Sequence, residues 1–285
     1  MTVSKTGFYT HEDCRKHEMG PGHPECPERL DAIQDRLLVS GVSDALEHLE
    51  APLASLNDIE LAHDRLHVAA LRGLTLRLVE EQAAGGPEHT SLDSDTSINA
   101  HTWTAALRAA GAAMAATDAV LAGELENAFC MVRPPGHHAT RSKAMGFCFF
   151  NNVAVGVKYA LSRHHLKRVA VIDFDVHHGN GTEDILAGDA RALMCSFFQH
   201  PFYPYSGDHE PAANMCNVPV PAYTRGMDIR EIVEMMWIPR LEEFKPELIF
   251  ISAGFDAHRE DDMGQLGLTE QDYTWITQRI KDVAR

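Results

Sequence analysis

The run Asp173-Phe174-Asp175-Val176-His177-His178-Gly179-Asn180-Gly181 holds the densest group of side chains able to do chemistry. At a strand end, the alternation of side chains would put Asp173, Asp175 and His177 on one side. Two carboxylates converging on one point repel each other unless a cation compensates. Carboxylate oxygen and imidazole nitrogen without thiolate suit zinc best, with iron(II) or cobalt next. A catalytic zinc takes three protein ligands and keeps one position open, so a ligand has to come from elsewhere. Asp256, directly after an apolar run, is the candidate. The competing reading makes Asp173 and Asp175 caps of a helix starting near Gly181, with His177 a loop histidine. For an isolated DxDxH run the two readings weigh about equally.

Other loops tip that balance towards metal. His137 and His138 follow Pro134-Pro135-Gly136, a backbone stiff enough to aim both rings. His164-His165, in a polar helix end, shows that adjacency alone means little. Each imidazole needs an acceptor to set its tautomer; Asp173 could serve one and Asn180 the other. The run Gly146-Phe147-Cys148-Phe149-Phe150-Asn151-Asn152 reads chiefly as core, with even odds that one aromatic lines a pocket. Phe202-Tyr203-Pro204 could supply the opposing wall.

The elements that must position these residues follow from apolar patterning. Ala128–Val132, Val169–Phe174, Leu193–Phe198 and Leu248–Ala253 are short apolar runs, expected as strands buried on both faces. Helical spacing appears in Glu28–Ser40, Asp64–Ala84, Asn151–Arg163, Met227–Phe244 and Glu270–Ala284. Such alternation predicts an α/β fold, an open parallel sheet with helices on both faces. Ligands gather at the carboxyl ends of such strands, and each chemistry-bearing loop directly follows one. With no repeat, linker or composition break, residues 1–285 read as a single domain. Lys5 to Pro27 reads as a polar surface loop.

Bulk composition excludes several function classes. The chain has 285 residues, 45% of them hydrophobic, and a formal charge of −16, which disfavours direct nucleic-acid binding and favours cationic substrates. The Ala-rich stretch Ala105–Gly123 is broken by Arg108 and Asp118, so it reads as a helix of a water-soluble protein and no membrane span is expected. Six cysteines carry no CxxC pair; Cys130, Cys148 and Cys195 read as buried thiols of a reducing compartment. With no secretory pattern at the start, the expected location is cytoplasmic.

Taken together, these segments resemble the histone deacetylase superfamily, which includes acetylpolyamine amidohydrolases and acetoin-utilisation proteins. The resemblance rests on His23-Pro24-Glu25-Cys26-Pro27-Glu28-Arg29-Leu30, Arg133 through Ala139, Gly146-Phe147-Cys148, Asp173 through Gly181, and Ser252 through His258. It runs from about Gly7 to the last residue, and is nearer the class II and bacterial branch than class I. It implies the arginase–deacetylase fold, an open parallel sheet of about eight strands. It also implies zinc held by Asp175, His177 and Asp256, with His138 as general base and His137, paired with Asp173, as its electrostatic partner. Asn180 would orient His138. A structural potassium would be held by carbonyls of Asp173, Asp175 and His177, the Ser196 hydroxyl and Phe197. Gly146, Phe147 and Tyr203 would line a substrate tunnel, with Met263 at the position where polyamine-selective relatives place an acid.

The implied activity is hydrolysis of an acyl, typically acetyl, group from the ε-amine of lysine in a protein or peptide. An acetylated small amine such as a polyamine is the alternative substrate, and a weakly catalytic metal-binding module that recognises acylated tails is a further reading. An arginase-like two-metal site would need more acidic ligands than can be placed. Cys26 stands where many relatives have Arg, a change expected to affect partner contacts only. Homo-oligomer contacts through residues 11–27 are expected by analogy with rim loops of relatives. The family also carries a further strand and a Gly-Gly-Tyr whose hydroxyl stabilises the oxyanion. No such run precedes Arg285, so the natural protein is expected to be longer.

Overall fold

The computed structural model describes residues 5–284. The chain gathers into two compact units, 1–159 and 160–285. In chain order the first contains β1 (Thr6–Thr10), α1 (Asp13–Lys16), α2 (Glu28–Val39), β2 (Leu46–Glu50), α3 (Leu56–Ile59), α4 (Arg65–Ala83), β3 (His89–Ser91), β4 (Ser97–Asn99), α5 (Thr102–Leu121) and β5 (Asn127–Cys130). The division falls within α6 (Asn152–Arg163). The second unit contains β6 (Val169–Asp173), α7 (Asn180–Leu186), β7 (Ala192–Gln199), β8 (Met215–Val220), α8 (Gly226–Ile232), α9 (Ile238–Phe244), β9 (Leu248–Ser252) and α10 (Glu270–Val283).

In the first unit β1 lies between β2 and β5, all three parallel. The stretch from Lys5 to Pro27, expected as a surface loop, therefore opens with a central strand. Its Phe8 and Tyr9 are buried, but two aromatics between Gly7 and Thr10 make too short a run to stand out among polar neighbours. The rest of that stretch is anchored through Arg133. The guanidinium donates to the carbonyls of Cys14 (2.9 Å) and His17 (2.8 Å) and to Glu25 Oε2 (2.7 Å). Burial opposes ionisation of Glu25, yet Arg133 holds its carboxyl below the usual range. Removing one partner of such a buried pair costs about 3–5 kcal/mol, so the motif beginning at His23 ties the loop ahead of His137 to the unit's interior. In α5 the small side chains of Ala105, Ala106, Ala109, Ala110 and Ala112 are almost wholly buried.

The second unit is a parallel sheet in the order β8-β7-β6-β9. Register brings Asp173 level with Ser196 on one side and Ser252 on the other, and Ser196 level with Asn217. Three strand ends thus deliver their loops to the same edge. The interior strands β6 and β7 are buried throughout, as the sequence predicts. In β9 every residue is only half-buried, and in β5 Phe129 is exposed. Both are end strands among the described residues, and there the expected burial on both faces is not met. One face of β6 and β7, with Ala170, Ile172, Leu193, Cys195 and Phe197, packs against Ile229, Val233, Trp237, Leu241, Ile276 and Ile280 of the helices. Phe197 stacks on Trp237 with ring centroids 5.7 Å apart.

The helix expected over Met227–Phe244 is α8 and α9 joined by a π-helical turn, Val233–Trp237. Pro239 near the start of α9 cannot donate a regular helical hydrogen bond, and the ladder changes register in the wider turn before it. The described parallel strands number three in one sheet and four in the other, against an expected count of about eight. β3 and β4 are an antiparallel pair, closed by Asp93, whose Oδ1 accepts from the backbone of Asp95 and Thr96. No helix among the described residues is long and apolar enough to cross a membrane.

Candidate active site

The strand β6 ends at Asp173, so Asp175 and His177 lie beyond it and strand alternation does not place them. Carboxylate-to-backbone bonds do. Asp173 Oδ1 accepts from the Asp175 N–H at 3.2 Å, and Asp175 Oδ1 accepts from the His177 N–H at 2.7 Å. Each acid thus folds the chain two residues ahead of itself, the local habit of aspartate in turns. Asp256, following β9, joins by accepting from the Val176 N–H at 2.9 Å. Neither Asp173 nor Asp175 caps the following helix, whose N-cap is Gly179 without a side-chain bond.

Asp175, His177 and Asp256 each offer one ligand atom, all within 4.8 Å of one another. His177 Nδ1 lies 2.9 Å from Asp175 Oδ1 and 3.0 Å from Asp256 Oδ2. Burial alone would lower the His177 pKa, but hydrogen bonds to the two carboxylates outweigh it and raise it to about 10. Asp256 is pushed up to about 6 by burial and by repulsion from Asp175, against the pull of His177. Two acids and an imidazole this close together call for a compensating cation. The donor set is hard oxygen plus borderline nitrogen, which fits a divalent ion of the zinc type.

Gly254 leaves room for this cluster. A Cβ there would stand 2.0 Å from Asp175 Oδ2 and 2.5 Å from its Cγ. Gly254→Ala should therefore swing Asp175 away and lower metal content well below one equivalent while the fold survives. Metal analysis beside circular dichroism reads both, and a variant holding a full equivalent would show that Asp175 is not needed there.

Phe202 stacks on His177 at 5.4 Å and 22°, and Tyr203 meets the same ring edge-on at 6.0 Å. Aromatic carbon thus covers one side of the imidazole. Ser196 Oγ donates to Asn217 Oδ1 at 3.1 Å, and Phe197 is buried on the helix side of β7. Met263 is half-buried, and its N–H donates to Asp261 Oδ1 at 2.9 Å, so that neighbouring acid serves as a turn acceptor. Asn180 is the first residue of α7, its N–H donating to the His178 carbonyl at 2.8 Å.

His137 and His138 belong to the first unit. They are 8% and 4% exposed, with ring centroids 4.0 Å apart and planes at 47°. Before them, a Cβ on Gly136 would stand 2.5 Å from Asn152 N, so only glycine fits. Two residues of the run read chiefly as core hold this loop. Asn151 Nδ2 donates to the carbonyls of His137 (3.5 Å) and Ala139 (3.3 Å), and Asn152 Nδ2 donates to that of Pro134 (3.1 Å). Asn151 is itself fixed by His63 Nε2, which accepts its N–H at 2.9 Å. The Asn-Asn pair before a helix was the available signal, hidden by the aromatics beside it. Of those, Phe149 and Phe150 are core, while Phe147 is half-buried, packed edge-on against His23 at 4.6 Å.

A model of the histone deacetylase domain matches residues 23–285. A probable deacetylase of Archaeoglobus fulgidus is 38% identical over 98% of this chain and 77% of its own. The histone deacetylase-like amidohydrolase of Pseudomonas aeruginosa is 35% identical with the same coverage of both chains. Among solved structures, the HDA15 HD domain superposes with a TM-score of 0.90 at 31% identity, covering 99% of this chain and 81% of that one.

Proposed function

Because the chain belongs to the histone deacetylase family, we propose that it is a zinc-dependent hydrolase removing acyl groups from the ε-amine of lysine in proteins or peptides. The observation that carries this reading is the convergence of Asp175, His177 and Asp256 in one cluster, with His177 buried and both acids half-buried. A divalent ion there would polarise an amide carbonyl and bring the pKa of water down to about 7. Amides resist hydrolysis because water is a poor nucleophile and the carbonyl is stabilised, so the ion meets both obstacles.

The chain's own residues supply the rest. His138 takes a proton from the attacking water and returns one to the leaving amine. His137, with Asp173, tunes the charge of the pair, and Asn180 orients His138. Phe147 and Tyr203, with Gly146 leaving space, flank an apolar acyl-lysine stem. The backbone of Asp173, Asp175, His177 and Phe197, with the Ser196 hydroxyl, is the proposed potassium site. A cytoplasmic location belongs to this proposal on cysteine usage alone.

The test is turnover of an acetyl-lysine peptide against an acetylated polyamine, with metal measured on the same sample. The peptide should be the better substrate, because Met263 offers no charge to a distal ammonium; the neighbouring Asp261 and the exposed Asp262 are the acids that would serve an acetylated polyamine instead. Met263→Glu should shift preference towards the polyamine, since a carboxylate attracts that ammonium. A wild type that already prefers the polyamine would overturn the lysine assignment.

A further inference from the structure

In the second unit, the segments around Tyr223 and Gly267 lie side by side. Tyr223 N–H donates to the Gln265 carbonyl at 2.8 Å, and Gly267 N–H to that of Thr224 at 2.9 Å. Between them is a hollow of about 480 Å³, lined in part by Tyr223, Arg225, Arg259, Gly264 and Gln265. Its location is informative. A Cβ on Gly264 would stand 2.8 Å from the Asp256 carbonyl and 2.6 Å from Val176 Cγ2, so that wall backs onto the acid–imidazole cluster. Met263, the residue aligned with the selectivity position, directly precedes Gly264.

The chemistry of the hollow is opposite to that of the chain. The protein has 41 acidic against 25 basic residues, yet two guanidinium groups and no carboxylate line this hollow among the described residues. Arg225 is exposed and makes no ion pair among the described residues; Arg259 is ion-paired with the exposed Glu260 at 3.5 Å and also helps to hold the Glu270 carboxyl below its usual range. A pair that exposed holds Arg259 weakly. Tyr223 is 74% exposed and keeps a left-handed backbone, φ 68°, a costly conformation for a residue with a side chain. Its exposed ring shares the lining of the hollow with the two arginines, where the hydroxyl can donate to an anion and the ring can pack on its stem.

The geometry points to a carboxylate-binding subsite, in which Arg225, Arg259 and Tyr223 receive an acidic side chain flanking the acylated lysine of a peptide substrate. This rests on the acyl-lysine reading above and adds a sequence preference to it. Planar guanidinium groups suit a carboxylate through paired N–H donors. A substrate with acids beside the lysine would otherwise be repelled by the chain's net charge, so the subsite would set which acyl-lysines are accepted.

The test uses a fluorescent acetyl-lysine peptide flanked by two glutamates and its glutamine twin, measured by anisotropy on the full chain and on the double variant R225Q/R259Q. The glutamate peptide should bind the wild type roughly fivefold to tenfold more tightly at low ionic strength, the product of two exposed pairs of modest strength. That preference should shrink with added salt and vanish in R225Q/R259Q, with binding of the glutamine peptide unchanged. Equal binding of the two peptides, or a preference that survives in the double variant, would overturn the subsite. Nε-acetyl-lysine blocked as its Nα-acyl amide, which carries no carboxylate, should be hydrolysed equally by both proteins. If neither protein hydrolyses any acyl-lysine, the functional reading fails, while the anisotropy comparison still decides whether the hollow takes a carboxylate.

Discussion

Asp175→Ala should give a folded protein that neither retains a divalent ion nor hydrolyses acetyl-lysine. Asp175 contributes twice: as a ligand atom and through Oδ1, which holds the His177 N–H at 2.7 Å and its ring at 2.9 Å. Its removal takes one ligand and frees a second. The rate should therefore fall by more than the roughly 10- to 100-fold that loss of an outer partner costs. The fold should tolerate the change, because Asp175 and Asp256 repel each other without a cation, part of the reason Asp256 is pushed up to about 6. Thermal melts separate the outcomes. Added zinc at a hundred times its Kd should stabilise the wild type by about 2.7 kcal/mol and leave the variant's midpoint where it was. A variant that keeps one equivalent of metal and full turnover would remove Asp175 from the site.

The acid–imidazole cluster was legible because its residue types are costly without a partner. Two acids and a histidine after an apolar run demand an explanation that a helix cap supplies only in part. The means of assembly was less legible. Alternation along a strand predicted that Asp173, Asp175 and His177 share a side, whereas the strand stops at Asp173 and side-chain-to-backbone bonds carry the chain onward. Gly254 gave no warning either, since a glycine before Phe-Asp-Ala looks like any turn residue until Asp175 Oδ2 is found where its Cβ would be. The partners of the histidine loop were missed for another reason. Arg133 and Glu25 are 108 positions apart, and no periodicity links residues at that range.

Within the fold, β6 and β7 announced themselves as continuous apolar runs because both faces of interior parallel strands are buried. β9 reads the same way in sequence, Leu-Ile-Phe-Ile-Ser, and is half-buried among the described residues, where β6 is its one paired neighbour. Composition reports what a strand could bury; neighbours decide how much it does. β1 shows the converse, a central strand with only two aromatics to mark it.

His138→Ala should lower kcat by about 10²–10⁴, the range of a general acid–base contribution, while the metal content stays at one equivalent. Its proposed role is proton transfer and not coordination, so loss of the ring should leave Asp175, His177 and Asp256 able to hold the ion. Added imidazole, small enough to enter the vacated space, should restore part of the rate in His138→Ala. The neighbouring ring sets the comparison. His137 and His138 stand 4.0 Å apart and nearly buried, so a charge on one disfavours a charge on the other. His137→Ala should be the milder lesion, because its proposed role is electrostatic support of the base and not the proton transfer itself. A His138→Ala protein that loses its metal would mean that His138 is a ligand. Equal rate losses in the two variants, neither rescued by imidazole, would mean that the pair acts through structure, with the proton handled elsewhere.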